Sequence, residues 1–135
     1  MGSALCGRKD FITRARRFKH QFGGGFRQAG IIAAGALHAI RHLRVRLVED
    51  HANAQRLAMG LSQLPGIDLD VTTVETNIIR FKLTSMHAGE FVDRLHANGV
   101  YMLPNGSDAV RALTYLNIFS AQVDQSVEIV MSVLK

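Results

Sequence analysis

The chain has 135 residues, 47% hydrophobic and 20% charged with two prolines, which suffices for one buried core and argues against a disordered chain. Its single cysteine, Cys6, excludes an internal disulfide and a cysteine zinc cluster, and suits a reducing compartment. The net charge of +5 comes wholly from residues 1–46, where Arg8, Lys9, Arg14, Arg16, Arg17, Lys19, Arg27, Arg41, Arg44 and Arg46 face one acid, Asp10; this fits a nucleic-acid patch, a targeting segment, or a surface that meets an acidic partner or a phosphate.

Residues 10–21 predict a short amphipathic helix, with Asp10 as N-cap and Phe11, Ala15 and Phe18 on one side. Gly23-Gly24-Gly25 then breaks it. A long helical region is expected over 27–64. Its first half is small and apolar (Ala29, Ala33, Ala34, Ala36), and its second half is amphipathic through Leu43, Leu47, Ala54, Leu57, Ala58 and Leu61. The change in charge pattern predicts a bend near Arg44, and Pro65-Gly66 ends the region. Strands follow at 67–71 and 77–83. A helix over 88–97 is capped by Ser85 and stopped by Asn98-Gly99. Further strands over 100–103 and 110–118 flank a Pro104-Asn105-Gly106-Ser107 turn, and a helix over 120–134 closes the chain. The order is helices first, then β-β-α-β-β-α. That is an α+β fold, with an antiparallel or mixed sheet carrying helices on one face.

No apolar run reaches the roughly 18 residues a membrane helix needs, and Arg8 and Lys9 interrupt the only early apolar stretch, so neither a span nor a secretory signal is expected. The glycine run, opening onto a helix N-terminus with Lys19, His20 and Arg27 nearby, reads either as a flexible joint or as an anion site. Arg111, inside the apolar stretch Val110-Arg111-Ala112-Leu113, either meets solvent on an open sheet face or grips a carboxylate through its two-pronged guanidinium. His38 and His42 share a helix face at metal-ligand spacing, but no third ligand is evident, so no metal is expected. Phe11 and Phe18 sit at core spacing rather than as a stacking platform, so the basic segment is not expected to bind nucleic acid.

Several blocks, in order, resemble the low-specificity L-threonine aldolases, fold-type I pyridoxal-phosphate enzymes. Residues 2–12 resemble the strand that follows the cofactor lysine, and Phe22-Gly23-Gly24-Gly25-Phe26-Arg27-Gln28-Ala29-Gly30 is similar to the family's glycine-rich joint. Leu47-Val48-Glu49-Asp50-His51-Ala52-Asn53-Ala54 resembles a helix segment, Thr76-Asn77-Ile78-Ile79 the strand entering the small domain, and Val110-Arg111-Ala112-Leu113-Thr114 the strand with the substrate arginine.

The resemblance implies that residues 1–64 end a large pyridoxal-phosphate domain and connect it to a small, mainly antiparallel domain over 65–135. It implies that Arg111 holds the α-carboxylate of a small β-hydroxy-α-amino acid, and that Arg27 and His20 serve the region of the cofactor phosphate. Tyr115 stands where a histidine commonly follows the Arg-x-x-Thr pattern. The Schiff-base lysine lies in a Ser-Lys-Gly context in that family, and Lys9, Lys19, Lys82 and Lys135 do not have it. The expectation is therefore a cytoplasmic lyase fragment that cleaves nothing alone and holds no catalytic residue. The alternative is a non-catalytic interaction module. Either would pair with itself or with an intact aldolase subunit, and neither nucleic acid nor membrane is expected as a partner.

Overall fold

The computed structural model describes residues 4–135. They fall into two compact units, Met1–Val45 and Arg46–Lys135.

The first unit holds α1 (Lys9–Gln21) and α2 (Gly30–His38), followed by a π-helical turn over Ala39–Leu43. Arg8 rather than Asp10 takes the N-cap of α1, and Asp10 lies in the first turn, where its charge suits the positive helix end. Residues 4–8 form no strand, although the resemblance puts one over 2–12. A strand needs a neighbour for its ladder, and none occurs among the described residues of this unit. Residues 2 and 3 of that block lie outside the description. The bend expected near Arg44 is a change of helical register, from the π turn to a 3₁₀ turn over Arg44–Arg46. No residue of α1, α2 or the π turn is buried.

The second unit opens with α3 (Leu47–Ser62), which therefore packs with the sheet that follows it. The strands are β1 (Ile67–Asp68), β2 (Ile78–Leu83), β3 (Leu103–Pro104) and β4 (Ala109–Leu113), with α4 (Ala88–Ala97) after β2 and α5 (Ser120–Val133) at the end. They form one antiparallel sheet in the order β1-β2-β4-β3. The expected α+β architecture is thus the observed one.

Alternation decides the layers. Ile79, Phe81 and Leu83 of β2 and Val110 and Ala112 of β4 share one face and are buried. Against them lie Leu57 and Leu61 of α3, Phe91 and Leu95 of α4, and Val123 and Val130 of α5. Each such side chain contributes about 1.5–3 kcal/mol on burial. The Phe81 and Phe91 rings meet edge to face, with centroids 6.1 Å apart.

Three strands are shorter than the alternation predicts, each for a local reason. After β1, the Asp70 carboxylate accepts from the Thr72 backbone N–H at 2.9 Å and the Thr72 hydroxyl at 2.6 Å, starting a 3₁₀ turn. Before β3, the Val100 N–H still donates to the Leu95 carbonyl, so the helix exit consumes the start of the strand. Pro104 is paired rather than in a turn, which is tolerable because β3 is an edge. β4 stops at Leu113 because the chain turns at Tyr115, whose carbonyl accepts from Ile118 N–H. The cap of α4 is His87, not Ser85.

Candidate functional site on the open sheet face

The helices cover one face of the sheet and leave the other open. Arg80 and Lys82 of β2 are exposed there, beside the half-buried Ile78, and β4 adds Ala109, Arg111 and Leu113. The register sets Arg111 opposite Arg80 on one side and Leu103 on the other, and sets Lys82 opposite Asp68. Arg111 is half-buried, and its Nε has no hydrogen-bond partner in the protein although it is shielded from solvent. An unpaired buried donor of this kind costs about 1–3 kcal/mol, which a bound carboxylate would remove by accepting from the guanidinium fork.

The strand end that carries Arg111 is pinned by three polar residues from distant parts of the sequence. The Thr114 hydroxyl donates to the Asp50 carbonyl at 2.7 Å, and the Thr114 N–H to the Asn77 carbonyl at 3.0 Å. The Asn77 amide donates back to the Thr114 carbonyl at 2.8 Å, and the Asn53 amide to the Ile118 carbonyl at 2.9 Å. Arg46 lies on the same turn of chain, with Nε 3.3 Å from Glu49 and Nη1 3.9 Å from the buried Asp50 carboxylate. The three blocks of sequence around Asp50, Asn77 and Arg111 are therefore joined in space. Taken one by one, Asp50, Asn53, Asn77 and Thr114 gave no site signal. The one legible sign is that Asn53, Asn77 and Thr114 each interrupt or border an apolar stretch.

The glycine run closes one helix before the next begins. The Gly23 N–H donates to the His20 carbonyl at 3.2 Å and the Gly24 N–H to the Lys19 carbonyl at 2.7 Å, with Gly23 at φ +82°. These bonds close the C-terminus of α1 in a Schellman motif. A side chain at position 24 would collide with Lys19, its Cβ falling 2.7 Å from that carbonyl oxygen. α2 begins only at Gly30, so the joint does not open directly onto its N-terminus. His20 and Arg27 are both exposed. His20 Nδ1 lies 2.9 Å from the Arg16 carbonyl, which can only accept, so Nδ1 carries the proton and Nε2 stays free.

A cavity of about 390 Å³ lies between the end of β4 and α5, lined by Leu57, Val100, Tyr101, Thr114, Ile118 and Gln122 among others, with no charged side chain in its lining. The His38 and His42 rings lie 4.7 Å apart, and among the described residues no three metal-ligating side chains gather.

An antiparallel sheet with helices on one face and an unpartnered arginine on the other defines a small α+β domain. Residues 1–84 match the family model of the beta-eliminating lyases. The chain belongs to the beta-eliminating lyase family, whose cofactor is pyridoxal phosphate. It is 32% identical over 126 residues to low-specificity L-threonine aldolase 1 of Arabidopsis thaliana, and 36% identical over 123 residues to the low specificity L-threonine aldolase of Escherichia coli K12. Each alignment covers 91% of this chain and 35% of the relative, so the chain spans about a third of their length. Among solved structures it is similar to MppP soaked with the product 2-ketoarginine, with a TM-score of 0.56 and 18% identity over 72% of this chain and 30% of the other. It is also similar to Lactobacillus brevis glutamate decarboxylase, with a TM-score of 0.53 and 19% identity over 64% and 22%. These two likenesses concern the fold alone.

The residues of this chain do not make a complete site for pyridoxal phosphate. Lys9 and Lys19 are exposed on α1, Lys82 on the open sheet face, and Lys135 at the chain end. No lysine lies among the residues lining the 390 Å³ cavity.

Proposed function

We propose that this chain is the substrate-carboxylate domain of a threonine aldolase, with residues 1–64 comprising the end of the large domain and the helices that connect it to the small one, and 65–135 forming the small one. The observation that carries the reading is Arg111: a half-buried guanidinium with an unpartnered Nε, on a strand end fixed through Asp50, Asn77 and Thr114. Its ligand in the complete enzyme is the α-carboxylate of threonine or allo-threonine, which the enzyme cleaves to glycine and acetaldehyde. Arg27 and His20, both exposed, would face the phosphate of the cofactor once the rest of the enzyme is present. The cofactor supplies the electron sink for that cleavage when bound. This chain supplies the grip on the carboxylate and no attachment point, so by itself it is inactive. The parent enzyme is cytoplasmic.

Two measurements test the reading together. Incubation with pyridoxal phosphate and threonine, followed by borohydride, should release no glycine and label no single lysine stoichiometrically. Titration with acetate, followed through the Arg111 Nε–H resonance, should shift that signal, and Arg111→Gln should abolish acetate binding. Glycine release by the chain alone overturns the inactivity, and unchanged acetate binding in Arg111→Gln overturns the role of Arg111.

A second reading, a non-catalytic module that pairs with itself or with an intact aldolase subunit, is favoured by one feature. The helices of Met1–Val45 bury none of their residues, while Phe22, Phe26, Ile31 and Ile40 are exposed.

A further inference from the structure

Arg80 stands directly across the sheet from Arg111. Side chains at such positions start with Cβ atoms about 4.5–5.5 Å apart, and like charges there are destabilising. Lys82, the next cation on the same face, has Asp68 as its cross-strand neighbour on β1. β1 ends at that residue, so Arg80 has no acid across from it, and neither Arg80 nor Arg111 forms an ion pair among the described residues. Arg80 also lines a surface cleft of about 380 Å³ with Thr73, Val74 and Ile78, which leaves room for a ligand group beside its guanidinium.

A monocarboxylate engages one guanidinium in a two-pronged bond and leaves the second unneutralised. Two unpaired arginines at facing ladder positions suit a ligand with two acid groups, one for each guanidinium fork. We propose that Arg80 and Arg111 form one site for a compact doubly acidic ligand, its first acid group on Arg111 and its second on Arg80 in the cleft beside Thr73. This rests on Arg111 being a carboxylate receptor and adds Arg80 as the residue that determines which carboxylates bind best. In the complete enzyme it favours, among β-hydroxy-α-amino acids, those whose side chain also ends in an acid group.

The test is calorimetric titration of the full chain at low ionic strength with succinate and with acetate. Succinate should bind about tenfold or more tightly than acetate, because its second carboxylate binds intramolecularly. Arg80→Gln should reduce the succinate advantage over acetate to the statistical gain of having two equivalent carboxylates. Lys82→Gln, which removes a like charge from the same face, should leave the ratio as it is. Because Arg80→Gln also removes the like-charge contact, its Tm without ligand should equal or exceed that of the parent, so loss of the succinate advantage in it cannot be put down to unfolding. Equal affinity for both anions in the parent chain, or an undiminished succinate preference in Arg80→Gln, overturns the proposal while leaving Arg111 as a monocarboxylate receptor. If Arg111→Gln binds acetate as well as the parent does, the underlying reading fails as well.

Discussion

Thr114 is the residue on which the candidate site mechanically depends. Its hydroxyl, N–H and carbonyl all engage groups outside its own strand, and it is 1% exposed. Replacing it with valine keeps the shape and leaves the Asp50 carbonyl without its donor. Thr114→Val is therefore expected to lower unfolding stability by about 1–3 kcal/mol, read as a lower urea midpoint at unchanged slope. If the network also positions the arginine, the same variant weakens acetate binding although it touches no ligand. A valine variant that loses stability but binds acetate normally would show that Thr114 supports the fold alone. Little of this was legible in the sequence. Asn77 and Thr114 are polar residues at strand ends and would have read the same in any loop; only the pairing of Ile78 with Leu113 brings them within bonding distance. Arg80 and Arg111 likewise read as two separate arginines until the register sets them opposite each other.

At the level of elements, α3 and α5 lie against each other closely enough for glycine to be required. A Cβ on Gly60 would fall 2.7 Å from Val127 Cγ2 and 3.1 Å from its Cγ1. Gly60→Ala gains helix propensity but overpacks this contact, and the overpacking costs about 1–3 kcal/mol. Trimming the opposing side chain in a Gly60→Ala, Val127→Ala double variant should recover part of that loss in thermal unfolding. The same two helices are joined on the surface by Arg56, whose Nε and Nη2 reach the two Asp124 carboxylate oxygens at 2.5 and 2.7 Å. The hydrogen bonds from Arg56 hold the Asp124 carboxyl below its ordinary range. A folded-state pKa below the unfolded one makes this contribution complete above the ordinary carboxylate range and removes it as pH falls through the lowered value. Asp124→Asn should flatten that acid limb of the stability curve. The pair is exposed, so high salt should flatten it as well. Helix α4 was readable to the residue, because Phe91, Val92 and Leu95 recur at helical spacing and Asn98-Gly99 stops it. β1 was not, because the Asp70–Thr72 turn competes with the ladder at a position where alternation alone predicts strand.

At the scale of the whole molecule, the two units differ in what holds them together. Arg46–Lys135 has a core drawn from three helices and a sheet. Met1–Val45 has helices with no buried residue, nine of the sixteen cations, and exposed Phe22 and Ile31. A helix of 13 residues such as α1 is marginal in water on its own, since nucleation is costly and propagation adds little. Its Schellman closure at Gly23-Gly24 fixes one end and buries nothing. On the pairing reading, helical order in α1 and α2 depends on a covering surface from another copy or from the large domain of an intact aldolase. Amide exchange at micromolar concentration should find the backbone of α1 and α2 exchanging within about tenfold of unstructured peptide rates, while α3, β2 and β4 are protected by the global stability of their unit. Raising the concentration, or adding an intact aldolase, should slow exchange in α1 and α2 and leave β2 and β4 unchanged. Strong protection of α1 in dilute solution would mean that the unit is stable without a partner, and would remove the main argument for the non-catalytic pairing module. Slowing by the aldolase but not by concentration would assign the missing surface to the large domain rather than to a second copy.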